Sequence, residues 1–253
     1  MAQVLILGGG LAGCFAALAL ADRGLSSTII EAKARLGGRA FSRGMPGDDG
    51  PPVEYGGGWG HAGQPRVQAL AKRLGIALIP RAPLTRHRYL RDGGVHDTPC
   101  RQDAAAAYEA AMAQWRADAL AGDPAILDLT LAAYLDHRSF PAPARREVLA
   151  WWAISGSTDP AVGRVSQLLT PKLASGWGAK VEELGFTFAG GVQALAEGAA
   201  RLAGASVIFS DPAERLRSTG AGVQLRLASG RRLEARAALI ALPVNALGQI
   251  RFD

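Results

Sequence analysis

The chain has 253 residues, 49% of them hydrophobic, and a formal net charge of +6 at pH 7. That length holds one large domain or two small ones, and the apolar fraction is enough for a packed core in a soluble, globular protein. No run approaches membrane-spanning length, and the basic residues, mostly Arg, are scattered rather than striped, so no nucleic-acid surface is expected.

The N-terminus opens with a short apolar run, Val4-Leu7, followed by Gly8-Gly9-Gly10-Leu11-Ala12-Gly13, a helical stretch, a second strand at Thr28-Ile30 and then Glu31. Gly8, Gly10 and Gly13 fill the three slots of a dinucleotide fingerprint: a tight turn, room for backbone to approach a pyrophosphate, and close packing of helix on strand. The phosphates are expected on the N-terminus of the following helix, at Leu11 and Ala12, where unpaired N–H groups and the positive dipole end favour an anion. Glu31, with Ala32 beside it, stands where a carboxylate accepts hydrogen bonds from ribose hydroxyls and disfavours a 2′-phosphate. The glycines break the apolar start, no basic segment precedes it and Asp22-Arg23 ends it, which does not fit a secretory leader. Next, Arg35 and Arg39 bracket Gly37 and Gly38, so backbone can lie close to a ligand while a guanidinium supplies charge to its phosphates.

The segment Ser42 to Gly60 is a Gly-, Pro- and Asp-rich loop ending in Gly56-Gly57-Gly58-Trp59-Gly60-His61. Two readings stand for it. The glycines let backbone lie against a flat group with Trp59 and His61 toward a substrate, or the segment is a surface loop anchored by its Trp. From Pro65 to about Leu184 helical periodicity dominates, at Val67-Leu74, Asp103-Leu120, Ala125-Asp136 and Arg145-Ile154, and Trp151-Trp152 lines either a cavity or the core. Within this stretch Arg81 to Arg91 with Asp92-Gly93-Gly94 reads as a hairpin with a solvated, charged face. From Gly191 a helix places Val192, Leu195, Ala199 and Leu202 on one face, and Ser206-Phe209 is a buried strand. Arg215-Thr219, Val223-Leu227 and Arg232-Ala237 then alternate as a three-stranded meander that returns Ala238-Leu242 as a core strand. Cys14 and Cys100 lie in no metal or redox spacing, and the four histidines have no ligand spacing. No metal site is therefore expected, and a reduced, cytoplasmic setting is.

Three separated segments resemble one family: Gly8 to Arg39, Glu54-Tyr55-Gly56-Gly57-Gly58-Trp59, and Gly190-Gly191-Val192-Gln193-Ala194-Leu195 with its following strands. They are similar to the flavin-dependent amine oxidases and their relatives, protoporphyrinogen oxidase and phytoene desaturase. The resemblance implies an α/β fold: a glutathione-reductase-like FAD-binding domain, with a parallel sheet and β-meander crossover, interrupted by a mostly helical substrate subdomain. It places the FAD domain at 1–64 and 186–253 and the helical, substrate-covering subdomain at 65–185. It further implies FAD as cofactor and Ala213 at a position contacting adenine through its backbone, where the family often has Val. The glycines 56–58 would flank the flavin, with Trp59, His61 and Trp151 as cavity wall. Family members continue well beyond the length of this chain. The resemblance therefore implies an incomplete oxidase, whose flavin site is finished by a C-terminal half or a second subunit in a hetero-oligomer. Its substrate is expected to be an amine or amino acid oxidised by hydride transfer, with a porphyrinogen or polyene oxidase and a non-catalytic dinucleotide-binding module as alternatives.

Overall fold

The computed structural model describes residues 2–45, 47, 50–82, 88–155, 158–169 and 184–253. The chain opens with β1 (Val4–Leu7), α1 (Leu11–Ala21) and β2 (Ser27–Ile30), then the two-residue strands β3 (Ser42–Arg43), β4 (Val53–Glu54) and β5 (Gly60–His61). There follow α2 (Pro65–Arg73), β6 (Leu78–Pro80), β7 (Tyr89–Arg91), β8 (Gly94–His96), α3 (Ala105–Ala121), α4 (Pro124–Leu127), α5 (Leu131–His137) and α6 (Ala142–Ser155). The return begins with β9 (Leu184–Phe188), α7 (Gln193–Leu202) and β10 (Ser206–Ile208). It closes with β11 (Ala213–Thr219), β12 (Gly222–Leu227), β13 (Arg232–Ala235), β14 (Ala237–Ile240), α8 (Val244–Leu247) and β15 (Arg251–Phe252). Two compact units result, Met1–Arg81 with Leu184–Asp253, and Ala82–Glu183.

In the first unit a parallel sheet runs in the order β10-β2-β1-β14. Its central strands are continuous apolar runs because both faces are covered. Ile6 and Ile29 point to one side, against Cys14, Ala17 and Leu18 of α1 and Ala196, Ala199 and Ala200 of α7. Leu5, Leu7 and Ile30 point to the other, against Leu216, Leu225 and Leu227 of the meander. Each such fully buried side chain contributes about 1.5–3 kcal/mol. The meander is antiparallel as expected, and β15 adds to it in parallel beside β11.

Three expectations are corrected here. The returning strand is Ala237–Ile240 and forms the sheet's edge, so Leu239 and Ile240 remain 36% and 43% exposed instead of joining the core. Leu202, at the last turn of α7, is exposed although Leu195 and Ala199 are buried, because at this turn the sheet-facing side of the helix is carried by Ala199, Ala200 and Ala203. The strand expected to be buried at Ser206-Phe209 is Ser206–Ile208, the sheet's other edge, and Phe209 is exposed. The compact unit that holds this sheet runs on to Arg81. Ala71 of α2, with Val67 and Leu74, packs with Leu78, Phe186, Phe188 and Leu195, and β5-β9-β6 form a small sheet that the sequence did not announce.

The second unit is helical around Tyr134, which stacks edge-on with Trp115 and Phe140, each at 5.6 Å. Its hydroxyl donates to buried Asp118 at 2.8 Å, and Arg138 donates twice to the same carboxylate. Burial and that carboxylate push the Tyr134 phenol far above its usual range. The helix expected over Ala125-Asp136 is two: Thr130 breaks it and caps α5 by accepting the Ala133 N–H. Asp92 and Gly93, with φ of 51° and 76°, turn the β7–β8 hairpin. Its outward face is apolar rather than charged. Leu90 and Val95 pair across the strands at 79% and 61% exposure, while alternation turns Arg91 inward, with Nε and Nη1 buried and unbonded among the described residues.

Candidate functional site

The fingerprint loop separates glycines the fold needs from one it does not. A Cβ on Gly13 would lie 1.9 Å from the Gly8 carbonyl oxygen, so this glycine lets α1 sit directly on β1. Gly8 has φ +106°, and a Cβ there would meet the Ala241 oxygen at 2.8 Å. Gly10, the N-cap of α1, has ordinary extended dihedrals, and its Cβ would find nothing nearer than 3.9 Å. Packing therefore does not demand a glycine at position 10. The second glycine turn is sewn to the first: Gly37 N–H donates to the Gly9 carbonyl at 2.8 Å, and a Gly38 Cβ would face Gly10 Cα at 3.2 Å. With no acidic residue in its first turn and no side-chain cap, the start of α1 at Leu11 and Ala12 presents its positive end beside this cradle.

Glu31 is 8% exposed, and its carboxylate accepts the Gly9 N–H and the Lys33 N–H, both at 2.8 Å. Each oxygen keeps a further lone pair, so the same carboxylate holds the loop and can accept a hydroxyl of a ligand. The Arg35 guanidinium donates to the Leu36 and Gly38 carbonyls and stacks over Phe41 at 4.0 Å, so it is tied to the second glycine turn and keeps three further N–H donors. Arg39 is exposed and makes no ion pair among the described residues. Backbone bonds from Ser210 to Lys33 and from Asp211 to Glu31 bring the chain before Ala213 against Glu31 and Ala32, with Ala213 half-buried at the head of β11. Beneath the loop, buried Cys14 donates to the Gly9 carbonyl, and burial, with the Glu31 and Glu197 charges, pushes its thiol up to about 12.

In the second glycine run, two of three positions are set by internal packing. A Cβ on Gly56 would lie 1.8 Å from the Arg39 oxygen and one on Gly58 2.5 Å from Glu54 Cγ, so both serve internal packing. Gly57 alone is open, with nothing within 4 Å. Trp59 is 51% exposed under the Arg81 guanidinium, and the His61 Nδ1 accepts the Gly63 N–H at 2.8 Å. The Trp151 side chain lies outside the described residues. A clamp missed from sequence joins the halves of this unit. Glu54 accepts from Ser42 Oγ at 2.7 Å and from the Val192 N–H at 2.8 Å, while Gln193 and Ser42 exchange a reciprocal pair at 3.2 Å. The Glu54 charge thus caps the N-terminus of α7 from another strand, a tertiary pairing with no local spacing to betray it.

Among the described residues no group of three or more His, Cys, Asp or Glu could hold a metal ion, and no helix is long and apolar enough to cross a membrane. The arrangement suits a dinucleotide: an open notch at Gly10, a positive helix end, and a hydroxyl acceptor at Glu31. The family model described as flavin containing amine oxidoreductase matches residues 11–253. The (S)-6-hydroxynicotine oxidase of Paenarthrobacter nicotinovorans is 32% identical over 62% of this chain and 40% of its own length. Nicotine dehydrogenase of Pseudomonas putida is 39% identical over 33% of this chain and 16% of its own. The solved cyclohexylamine oxidase of Brevibacterium oxydans superposes with a TM-score of 0.83 at 24% identity, over 99% of this chain and 60% of that one. The chain thus spans well under two thirds of these relatives, and its fold is theirs. Its cofactor is FAD, and the chain belongs to the family of flavin-containing amine oxidoreductases.

Proposed function

We propose that this chain is the part of an FAD-dependent amine oxidoreductase that binds the ADP moiety of FAD, and that the whole protein oxidises a small amine by hydride transfer. The observation that carries this reading is that Gly10 is a glycine where packing would admit a side chain, a Cβ there meeting nothing nearer than the Gly37 oxygen at 3.9 Å. There the pyrophosphate rests on the N-terminus of α1, the ribose hydroxyls donate to Glu31, and Arg35 keeps the second glycine turn in shape. Bound flavin supplies the hydride acceptor. The protein's share is orientation and exclusion of water, with Gly57 the open position of the second glycine run and Trp59, His61 and Trp151 as candidate substrate wall. The helical insertion, residues 65–185 in the sequence reading, contributes substrate contacts, a reading supported by its position in the chain between the two halves of the dinucleotide unit. The names of the relatives favour a small secondary or primary amine over a porphyrinogen or polyene. A C-terminal continuation or second subunit completes the flavin site, consistent with the 60% share of the solved oxidase and with the exposed apolar edge of β14.

The test is spectroscopic and then chemical. Purified protein should carry a flavin absorbance spectrum and, with the complementary C-terminal portion present, reduce that flavin on addition of an amine from a panel including nicotine and cyclohexylamine. Absence of flavin after reconstitution overturns the cofactor role of this chain. Bound flavin that no amine reduces in the complete assembly reassigns it to a binding module.

A further inference from the structure

The meander carries a charge pattern that no stretch of sequence displays. Register places Arg232 opposite Arg226, Arg226 opposite Arg215, and Arg215 beside Arg251, so one rung crossing all four strands β13-β12-β11-β15 is arginine throughout. The adjacent rung, Leu233-Leu225-Leu216-Phe252, points the other way, with its leucines in the core, so the four guanidinium groups share the outer face. Like charges directly opposite one another weaken a sheet. The chain compensates only in part. Asp253 is shared by Arg215 and Arg251, Glu214 meets Arg226 at 2.9 Å, and Arg232 has no ion-pair partner among the described residues, nor has Arg217 on the same face.

We propose that this arginine rung is a docking face for an acidic polypeptide segment, whose carboxylates supply the counter-charge that the sheet lacks. Arginines on strands about 4.8 Å apart present guanidinium forks that carboxylates fill two oxygens at a time. The rest of the face argues for a peptide over a nucleic acid. Glu234, bonded to Gln224 at 2.8 Å, and Asp253 are interspersed with the arginines and would confront a continuous line of phosphates. A peptide can instead set a neutral residue opposite each of them. The face also offers no aromatic platform for bases.

The experiment uses the whole 253-residue chain and a fluorescein-labelled peptide of alternating Glu and Gly, with a single-stranded oligonucleotide of equal charge as competitor. Replacing Arg226→Ser and Arg232→Ser together should weaken peptide binding about ten-fold in fluorescence anisotropy. A control variant of the same net charge, Arg66→Ser with Lys72→Ser on α2, which packs on the side of the parallel sheet opposite the meander, should leave it within about two-fold, because screened charges act only nearby. Equal losses in both variants would reduce the effect to net charge and overturn the proposal. Tighter binding of the oligonucleotide than of the peptide would overturn it in favour of a nucleic acid. Arg217→Ser with Arg232→Ser, which disturbs no ion pair, repeats the test should the first variant unfold.

Discussion

Two glycine clusters that look alike in sequence turn out to do different work. In Gly8 to Gly13 two glycines exist so that helix and strand can touch, and the one between them, Gly10, leaves a space that the protein never fills. In Gly56 to Gly58 the pattern is the same but the surroundings differ: both flanking glycines are closed, by Arg39 and Glu54, while the exposed Gly57 has nothing within 4 Å, where Gly10 faces the Gly37 and Gly38 backbone at 3.9 and 4.0 Å. An open glycine therefore points to a ligand only where, as at Gly10, a helix N-terminus and a second glycine turn border it.

That comparison breaks first at Gly13. Gly13→Ala should cost on the order of 4 kcal/mol or more, because its methyl would sit inside the Gly8 carbonyl and the central strand cannot retreat. Gly10→Ala should melt within a few degrees of the parent yet bind FAD about 100-fold more weakly, roughly 3 kcal/mol. Thermal melts paired with flavin titration decide it, and a folded Gly10→Ala protein with unaltered FAD affinity returns the whole loop to packing.

Glu31 sharpens the same division, since one carboxylate serves both protein and ligand. Glu31→Ala strands two backbone N–H groups, Gly9 and Lys33, and should lower stability by about 2 kcal/mol even without cofactor. Urea denaturation of the apoprotein measures that loss apart from the loss of FAD. In the second cluster, Gly58→Ala should cost about 1 kcal/mol by disturbing Glu54, whereas Gly57→Ala should leave the denaturation midpoint unchanged. Equal effects at the two positions would erase the distinction drawn here.

The pH dependence from Cys14 is absent near neutral pH and shows only in alkali. The folded Cys14 thiol titrates near 12 against an ordinary value of 9.0, so it stays protonated while the unfolded thiol ionises. Its contribution is complete below pH 9.0 and drains away as pH rises toward 12. The parent should lose more stability than Cys14→Ala across that window, and the native thiol should resist alkylation at pH 8 until the protein opens.

Much of the cofactor half was legible because its signals are local. Strand, glycine turn, helix and acid follow one another at fixed spacing, and the Asp92-Gly93 turn likewise announced its hairpin. What escaped depends on partners far apart in the chain. The Glu54 clamp binds residues of β3, β4 and α7, and the β5-β9-β6 sheet is built from strands as unpromising as Gly60-His61 and Leu78-Pro80. Arg35 suggested a phosphate contact by charge alone, and only its neighbours reveal that two of its five donors hold the second glycine turn. Scattered arginines became a row once register was known.

The parallel sheet also sets a schedule for the ribosome. Val4 pairs with Ala237, so the centre of the sheet emerges first and its neighbour about 230 residues later. At roughly 5–20 residues per second, the nascent Leu5-Ile6-Leu7 segment waits about 10–50 s for that strand. During that interval its only companion is β2, and an apolar run with one open edge invites pairing with other nascent chains. A chaperone that engages early emerging apolar segments would shield this protein while the second half of its sheet is still being translated.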